Sequence, residues 1–513
     1  MKTQRSVLAV LLIVTTTSCV FRFRNVDVRE LDLKKPVEVR TPVKAHLKDG
    51  STIVYPSGVT VTASDVQGNG TRYVFAGSAT TAVTTVPLDQ VAAMEAYREV
   101  LNDGKSFAVS LLATAVGAVG SVVLFKALFG SCPTVYSGDG GIEEAELFSS
   151  SIAPLYEGRD IDLLKARPNA AGDLTLEIRN EAMETHYINH LQLVEVRHAI
   201  DEAVLPDTHG EPVVLGRQRP VATAVSRRGQ NVAGLLANAD GAFYASDRAA
   251  IDAANPADMD EWIDVTLPVQ PGATSAALAF RLRNSLLNTV LLYDVMLAPA
   301  GAGALNWMSG RLSNISEAVE MGRWHQRRAG LHVSVWRDGS YREVARVPDA
   351  GPITWHDVAA VVPVPAGETT LRVRLSYLVD HWRLDRLGVS MTVGPADSRV
   401  IPLATVRGPQ GVLEPAALKD MASPDERYLQ TSPGHRFLAD FHTGPAPVGR
   451  ARTFLLSSQG YYTEWIRGSW IQNASVSVPF KPGDDALLVA LSKWGSSRDT
   501  FEKRFFSTRV PVK

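Results

Sequence analysis

The stretch Leu174 to Leu193, LTLEIRNEAMETHYINHLQL, aligns without gaps on Leu278 to Leu297, LAFRLRNSLLNTVLLYDVML, 104 residues later. The two share the leucines at both ends, Arg179/Arg283, Asn180/Asn284 and Thr185/Thr289. A third relative, Leu371 to Val389 (LRVRLSYLVDHWRLDRLGV), follows after 93 more residues, and Trp262-x-Asp264-Val265 upstream of one copy matches Trp355-x-Asp357-Val358 upstream of the next. In each copy apolar side chains such as Leu174, Leu176 and Ile178 alternate with charged ones on either side of a polar turn. That pattern is a strand, a turn and a returning strand, read as a hairpin with one face in a core. Repeats about 100 residues long exceed a solenoid or propeller unit and suit duplicated β-sandwich domains. The expected fold is mainly β: tandem sandwich-like domains, with a small N-terminal hairpin domain and one long apolar helix.

Outward from the repeats, AGAG at Ala300 to Gly303 and GPADS from Gly394 mark expected domain edges. They divide the C-terminal part into 131–300, 301–396 and a smaller β unit, 397–513. A helix is expected between Leu312 and Arg328, with Ser316 as its cap. Residues 20–104 read as a small β-rich domain ending in a helix. Asp49-Gly50 and Asn69-Gly70 are expected hairpin turns, and Leu88 to Asn102 has helical periodicity with Asp89 as N-cap. Gly104-Lys105-Ser106 is no P-loop, because Glu99 stands where that motif needs glycine.

Phe107 to Phe125 (FAVSLLATAVGAVGSVVLF) carries no charge across nineteen residues, about 28 Å as a helix and near the thickness of a bilayer core. Within an expected helical segment 105–130 it reads either as a membrane-inserted span or as a buried packing helix. Ala113, Gly117 and Ser121 supply small-xxx-small spacing for close helix approach.

The first nineteen residues bear on destination. Lys2 and Arg5 precede an apolar run, Ser6 to Val14, and small residues Thr15 to Ser18 lead to Cys19. This segment resembles the lipoprotein-type signal peptide (1–19) of bacteria, with Thr16 in place of the usual Leu; the alternative reading is an ordinary secretory signal cleaved near Ser18, with an incidental cysteine. The resemblance implies lipid attachment at Cys19 and location in the cell envelope, facing the periplasm or exterior. With Val20 next, the outer membrane is implied in a Gram-negative host. Further along, KALFGSCPTVYS (126–137), LFSSSIAPLYEGRDIDLL (147–164) and RNEAMETHYINHLQL together resemble a group of uncharacterised bacterial lipoproteins with an SCPxxYS segment followed by β-rich repeats. No activity and no catalytic residue come with that resemblance.

Charge is balanced, 52 Lys+Arg against 54 Asp+Glu, so no basic footprint for nucleic acid exists. With Cys19 acylated, Cys132 has no partner for a disulfide. His186 and His190, with His198 downstream, form a histidine cluster; on one strand residues four apart lie about 13 Å from each other and cannot chelate together. Asp207 and His209 lack a third ligand, and Asp258/Asp260 and Asp484/Asp485 fall in polar turns. No G-x-S-x-G, H-E-x-x-H or EF-hand loop is present. Tyr461, Tyr462, Trp465 and Trp470 offer a sugar-stacking platform, against core packing of one strand face. No catalytic, metal or cofactor site is supported. The expected function is binding or scaffolding by a lipid-anchored envelope protein, with an envelope protein or carbohydrate as partner besides membrane lipid. The alternatives are an exported enzyme acting on polysaccharide or peptidoglycan and a subunit of a membrane complex.

Overall fold

The computed structural model describes residues 27–30, 35–40, 42–73, 80–98, 107–112 and 132–512, apart from 256, 305–306, 309–311, 313 and 473–479. Cys19 and the rest of 1–19 lie outside the described residues. The fold is mainly β, built of several antiparallel sheets.

Two of the three repeat copies are strand–turn–strand, but neither is a hairpin. Asp173–Arg179 pairs with Thr134–Ser137 and Arg436–His442, whereas Glu184–His198 belongs to a different sheet, between Ala451–Glu464 and Asp397–Pro402. Thr370–Leu378 and Trp382–Ser390 are divided between two sheets in the same way. Each copy therefore arches from one sheet to another, and the core lies between its arms. Leu174, Leu176 and Ile178 share one core with Leu191, Leu193, Phe437 and Phe454. Ile263, Leu278, Val333, Leu375, Trp382 and Leu387 share a second.

The middle copy departs from the pattern. After Ser275–Asn284 the chain turns helical at Leu287–Val290 and continues as a π-helix over Leu291–Leu297. Leu287, Val290, Leu291 and Leu297 recur at helical spacing and are all buried, so the apolar residues here follow a helical period rather than the alternation of a strand. These turns pack with Ile315–Ala329 and Asp484–Arg504 around a third core containing Trp324, Trp470 and Trp494.

The cores do not follow the expected segments. Residues 397–464 supply Asp397–Pro402, Thr405–Arg407, Arg436–His442 and Ala451–Glu464 to the same two sheets as Asp173–Arg179 and Glu184–His198. The second core is built from the intervening chain. Position 300 sits inside a 3-10 turn, Ala298–Gly303, while 396 marks the passage from Val393–Pro395 into Asp397–Pro402.

The N-terminal sheet confirms the turn at Asp49-Gly50, where Val43–Leu47 pairs with Thr52–Tyr55 and Gly50 adopts φ 85°. Asn69-Gly70 is no turn; both residues lie inside Asp65–Tyr73. A Cβ on Gly70 would stand 2.6 Å from Ile53 and from the Tyr55 ring, so this glycine serves close packing. The helix expected over 88–102 is a short 3-10 turn followed by the strand Val91–Arg98, paired with Val43–Leu47. The first described part of the expected apolar helix is not helical. Phe107–Leu112 is a strand, parallel to Asp27–Glu30 and antiparallel to Val91–Arg98, and 113–125 lies outside the described residues. Among the described residues no helix is long and apolar enough to cross a membrane. An uncharged run carries little periodicity to separate helix from strand, and over Phe107–Leu112 the neighbouring strands decide.

Candidate functional site

A cavity of about 430 Å³ opens where the helical layer meets the two larger β cores. The helix Ile315–Ala329 forms one wall. Asn314 caps it by accepting from the backbone N–H groups of Ser316 and Glu317; the expected helix is therefore present, capped two residues earlier than Ser316. Its inner face presents Met321, Trp324 and His325. The turns around Leu287–Leu297 contribute Asn288, Leu292 and Tyr293 opposite, and Ile152, Tyr156 and Tyr462 close the space. A largely apolar cavity of this size with a few convergent polar groups has the character of a small-molecule site.

The polar end is built on Asp349, which follows the strand Ser340–Val347. Its Oδ2 accepts from Asn288 Nδ2 at 2.6 Å, His381 Nε2 is 3.3 Å from Oδ1, and His325 Nε2 lies 3.9 Å from Oδ2. His381 Nε2 also stands 3.0 Å from Asn284 Nδ2. Burial lowers the pKa of His325 more than the Asp349 carboxylate raises it, and nearby His381 lowers it further. Arg346 also borders the cavity but is engaged by Glu343, at 2.7 and 2.9 Å.

Behind the aromatic wall lies a buried charged network. Tyr293 donates to Glu464 at 2.9 Å, Arg467 donates to the other oxygen of Glu464 at 2.9 Å, and the guanidinium lies 3.9 Å over the Tyr293 ring. Burial, then the charge of Glu184, push the Glu464 carboxyl well above its ordinary range against the pull of Arg467. Glu184 accepts from the Cys132 N–H at 3.2 Å and stands 3.3 Å from His186 Nε2.

A second cluster joins the two larger β cores. Glu146 accepts from the Ile353 N–H at 2.6 Å and from the Cys132 thiol at 3.2 Å. Desolvation raises its pKa to about 8. His356, 3.1 Å from Asp162, is pushed up to about 9: burial opposes protonation, but the Asp162 contact and the charges of Glu146 and Asp160 outweigh it.

The sequence-derived candidates are distributed differently. His186 is fully buried, His190 half-buried on the same strand, and His198 is fixed by Thr453 at 3.0 Å. Asp207 organises its own turn by accepting from the His209 and Glu211 N–H groups. Asp258 pairs with Arg227, and Asp484 with Arg328. The aromatic platform is overturned: Tyr461, Tyr462, Trp465 and Trp470 are at most 1% exposed. Tyr461 stacks on Tyr187 at 4.5 Å, and Trp465 packs under Tyr73 of the N-terminal sheet and donates to Thr185. Both faces of this strand are buried, so no ring face is open to a sugar.

Asp349, His325 and Asn288 carry no motif and are far apart in sequence; only the folded chain identifies them. Glu184 and Glu464 do lie in stretches the sequence singles out, though for their neighbours.

No family model matches the chain, and no curated protein matches it. Among solved structures, it is similar at 12% identity and TM-score 0.16 to an uncharacterized protein of Listeria monocytogenes EGD-e solved with glucose, magnesium and calcium. That match covers 70% of this chain, which spans only 29% of the Listeria protein. A structure of infectious bursal disease virus, Gt strain, is matched at 11% identity and TM-score 0.12 over 76% of this chain and 96% of that one. Neither likeness carries an argument about fold or function.

Proposed function

We propose that this chain is an exported, lipid-anchored envelope protein that binds a small, mostly apolar molecule. In this reading two β-sandwich-like units, the second inserted into the first, frame the binding cavity, and Cys19 carries the lipid. The observation that supports binding is the cavity itself, with Leu292, Trp324 and Tyr293 as apolar surface and Asp349 as its polar end. Anchoring rests on the signal-like residues 1–19 and on the resemblance to uncharacterised bacterial lipoproteins.

Hydrolysis is the second reading, because Ser149 and Ser150 border the same cavity as His325 and Asp349. Among the described residues no hydrogen bond joins either serine to His325, so binding is the better-supported role.

Native mass spectrometry of the full chain, released from host membranes in mild detergent, tests the proposal. Wild type is expected to carry one small molecule that Leu292→Trp, which fills the cavity, loses. Identical adduct masses in the two proteins would overturn it.

A further inference from the structure

Among the described residues no permanent cation pairs with the carboxylate at the polar end of the cavity. Asp349 has an 11% exposed side chain, and its ion-pair contacts among the described residues are with histidines, His325 and His381. Among the described residues no lysine or arginine forms an ion pair with it. Asn288 donates to it as a neutral amide, and burial disfavours charge on His325, which approaches no nearer than 3.9 Å. The permanent cation that borders the cavity, Arg346, is neutralised by Glu343. Arg467, behind the Tyr293 wall, is committed to Glu464.

A carboxylate facing a largely apolar space without a fixed counter-charge is costly, and a cation brought in by a ligand offsets that cost. The same space is walled by Trp324 and Tyr156, and aromatic rings accommodate an apolar body and attract cations at their faces. A carboxylate ligand would meet Asp349 as a like charge. A neutral ligand would leave that carboxylate as poorly compensated as before.

We infer that the cavity selects an organic cation: an apolar, preferably aromatic body carrying a protonated amine that pairs with Asp349. The inference rests on the binding role proposed above and specifies its ligand class.

Three probes of nearly equal size separate the charge types: tryptamine, tryptophol and indole-3-propionate. Each is titrated calorimetrically into the full chain at pH 7, where the amine is protonated. Tryptamine is expected to bind at least tenfold more tightly than either of the others. Asp349→Asn should bring tryptamine to the affinity of tryptophol, because the amide keeps the size of the side chain and loses the charge. Tryptophol or indole-3-propionate binding as tightly as tryptamine would overturn the cation preference while leaving the binding role intact; this ranking needs no variant. Tryptamine affinity unchanged in a folded Asp349→Asn protein would overturn the role of Asp349. Failure of all three probes, in wild type and Leu292→Trp alike, would remove the binding role and this inference together.

Discussion

Replacing Asp380 with alanine should be among the most damaging single changes in the protein, because Asp380 ties the second β core to the C-terminal helix Asp484–Arg504. The residue occupies the turn between Thr370–Leu378 and Trp382–Ser390 at φ 55°, with its side chain fully buried. Its carboxylate accepts from Arg383 at 2.8 and 3.3 Å and from Trp494 Nε1 at 2.7 Å, and Arg498 approaches to 3.4 Å. Arg383 is itself 1% exposed, and its remaining acidic partner is Glu502, whose side chain is 37% exposed. Removing one member of a buried pair costs about 3–5 kcal/mol, since the other charge remains buried without compensation. The orphaned indole N–H adds about 1–3 kcal/mol, less than additively. Asp380→Ala should therefore lose roughly 4–5 kcal/mol. Asp380→Asn tolerates the positive φ and keeps one acceptor, so it should lose about half as much. Glu502→Gln, a change at a partly exposed position, should lose no more than about 1 kcal/mol. Urea unfolding followed by tryptophan fluorescence measures all three. Asp380→Ala within about 1 kcal/mol of wild type, or Glu502→Gln as damaging as Asp380→Ala, would refute the reasoning.

Glu146→Gln should flatten the pH dependence of stability. The Glu146 pKa rises from 4.5 to about 8 on folding, so the stability linked to its proton is full below about pH 4.5 and is lost as pH rises towards 8, on the order of 5 kcal/mol at most. His356, raised from 6.5 to about 9, adds a loss between those two values; urea midpoints at pH 5 and 8.5 that differ equally in wild type and variant would contradict the assignment to Glu146. Trp465→Ala should loosen the N-terminal sheet, because the indole packs against Tyr73 at 5.4 Å and against His46 at 6.4 Å. The expected cost is about 3–5 kcal/mol, with protease cleavage in 42–98 appearing well before cleavage elsewhere; unchanged cleavage order would count against that contact. Cys19→Ala should abolish metabolic labelling by fatty acid, and continued labelling would remove the lipid anchor from the proposal.

The β character was legible because Leu174, Leu176 and Ile178 alternate cleanly with polar neighbours, and Asp49-Gly50 specified its turn by backbone chemistry alone. The helix at Ile315–Ala329 was legible from its periodicity, its cap less so, since Asn314 and Ser316 are equally good capping residue types. What could not be read was pairing. Repeat copies that look like hairpins prove to be arches, because local pattern fixes which face of a strand is buried but not which strand lies beside it. Val91–Arg98 has a helical pattern for the same reason: Val91 and Met94 fit helical spacing, and only the partner strand Val43–Leu47 selects the extended form. The aromatic cluster 461–470 looked one-sided and is buried on both sides, since the N-terminal sheet covers its second face. The cavity was invisible altogether, its polar end assembled from Asn288, His325 and Asp349 on three separate segments.

Fluorescence titration of the full chain with N-phenyl-1-naphthylamine, a neutral apolar probe, tests the central claim most directly. One saturable site in wild type, lost in a Leu292→Trp variant of unchanged stability, is the result expected of a binding cavity at this position. No saturable binding in wild type, or equal binding in both proteins, would contradict it.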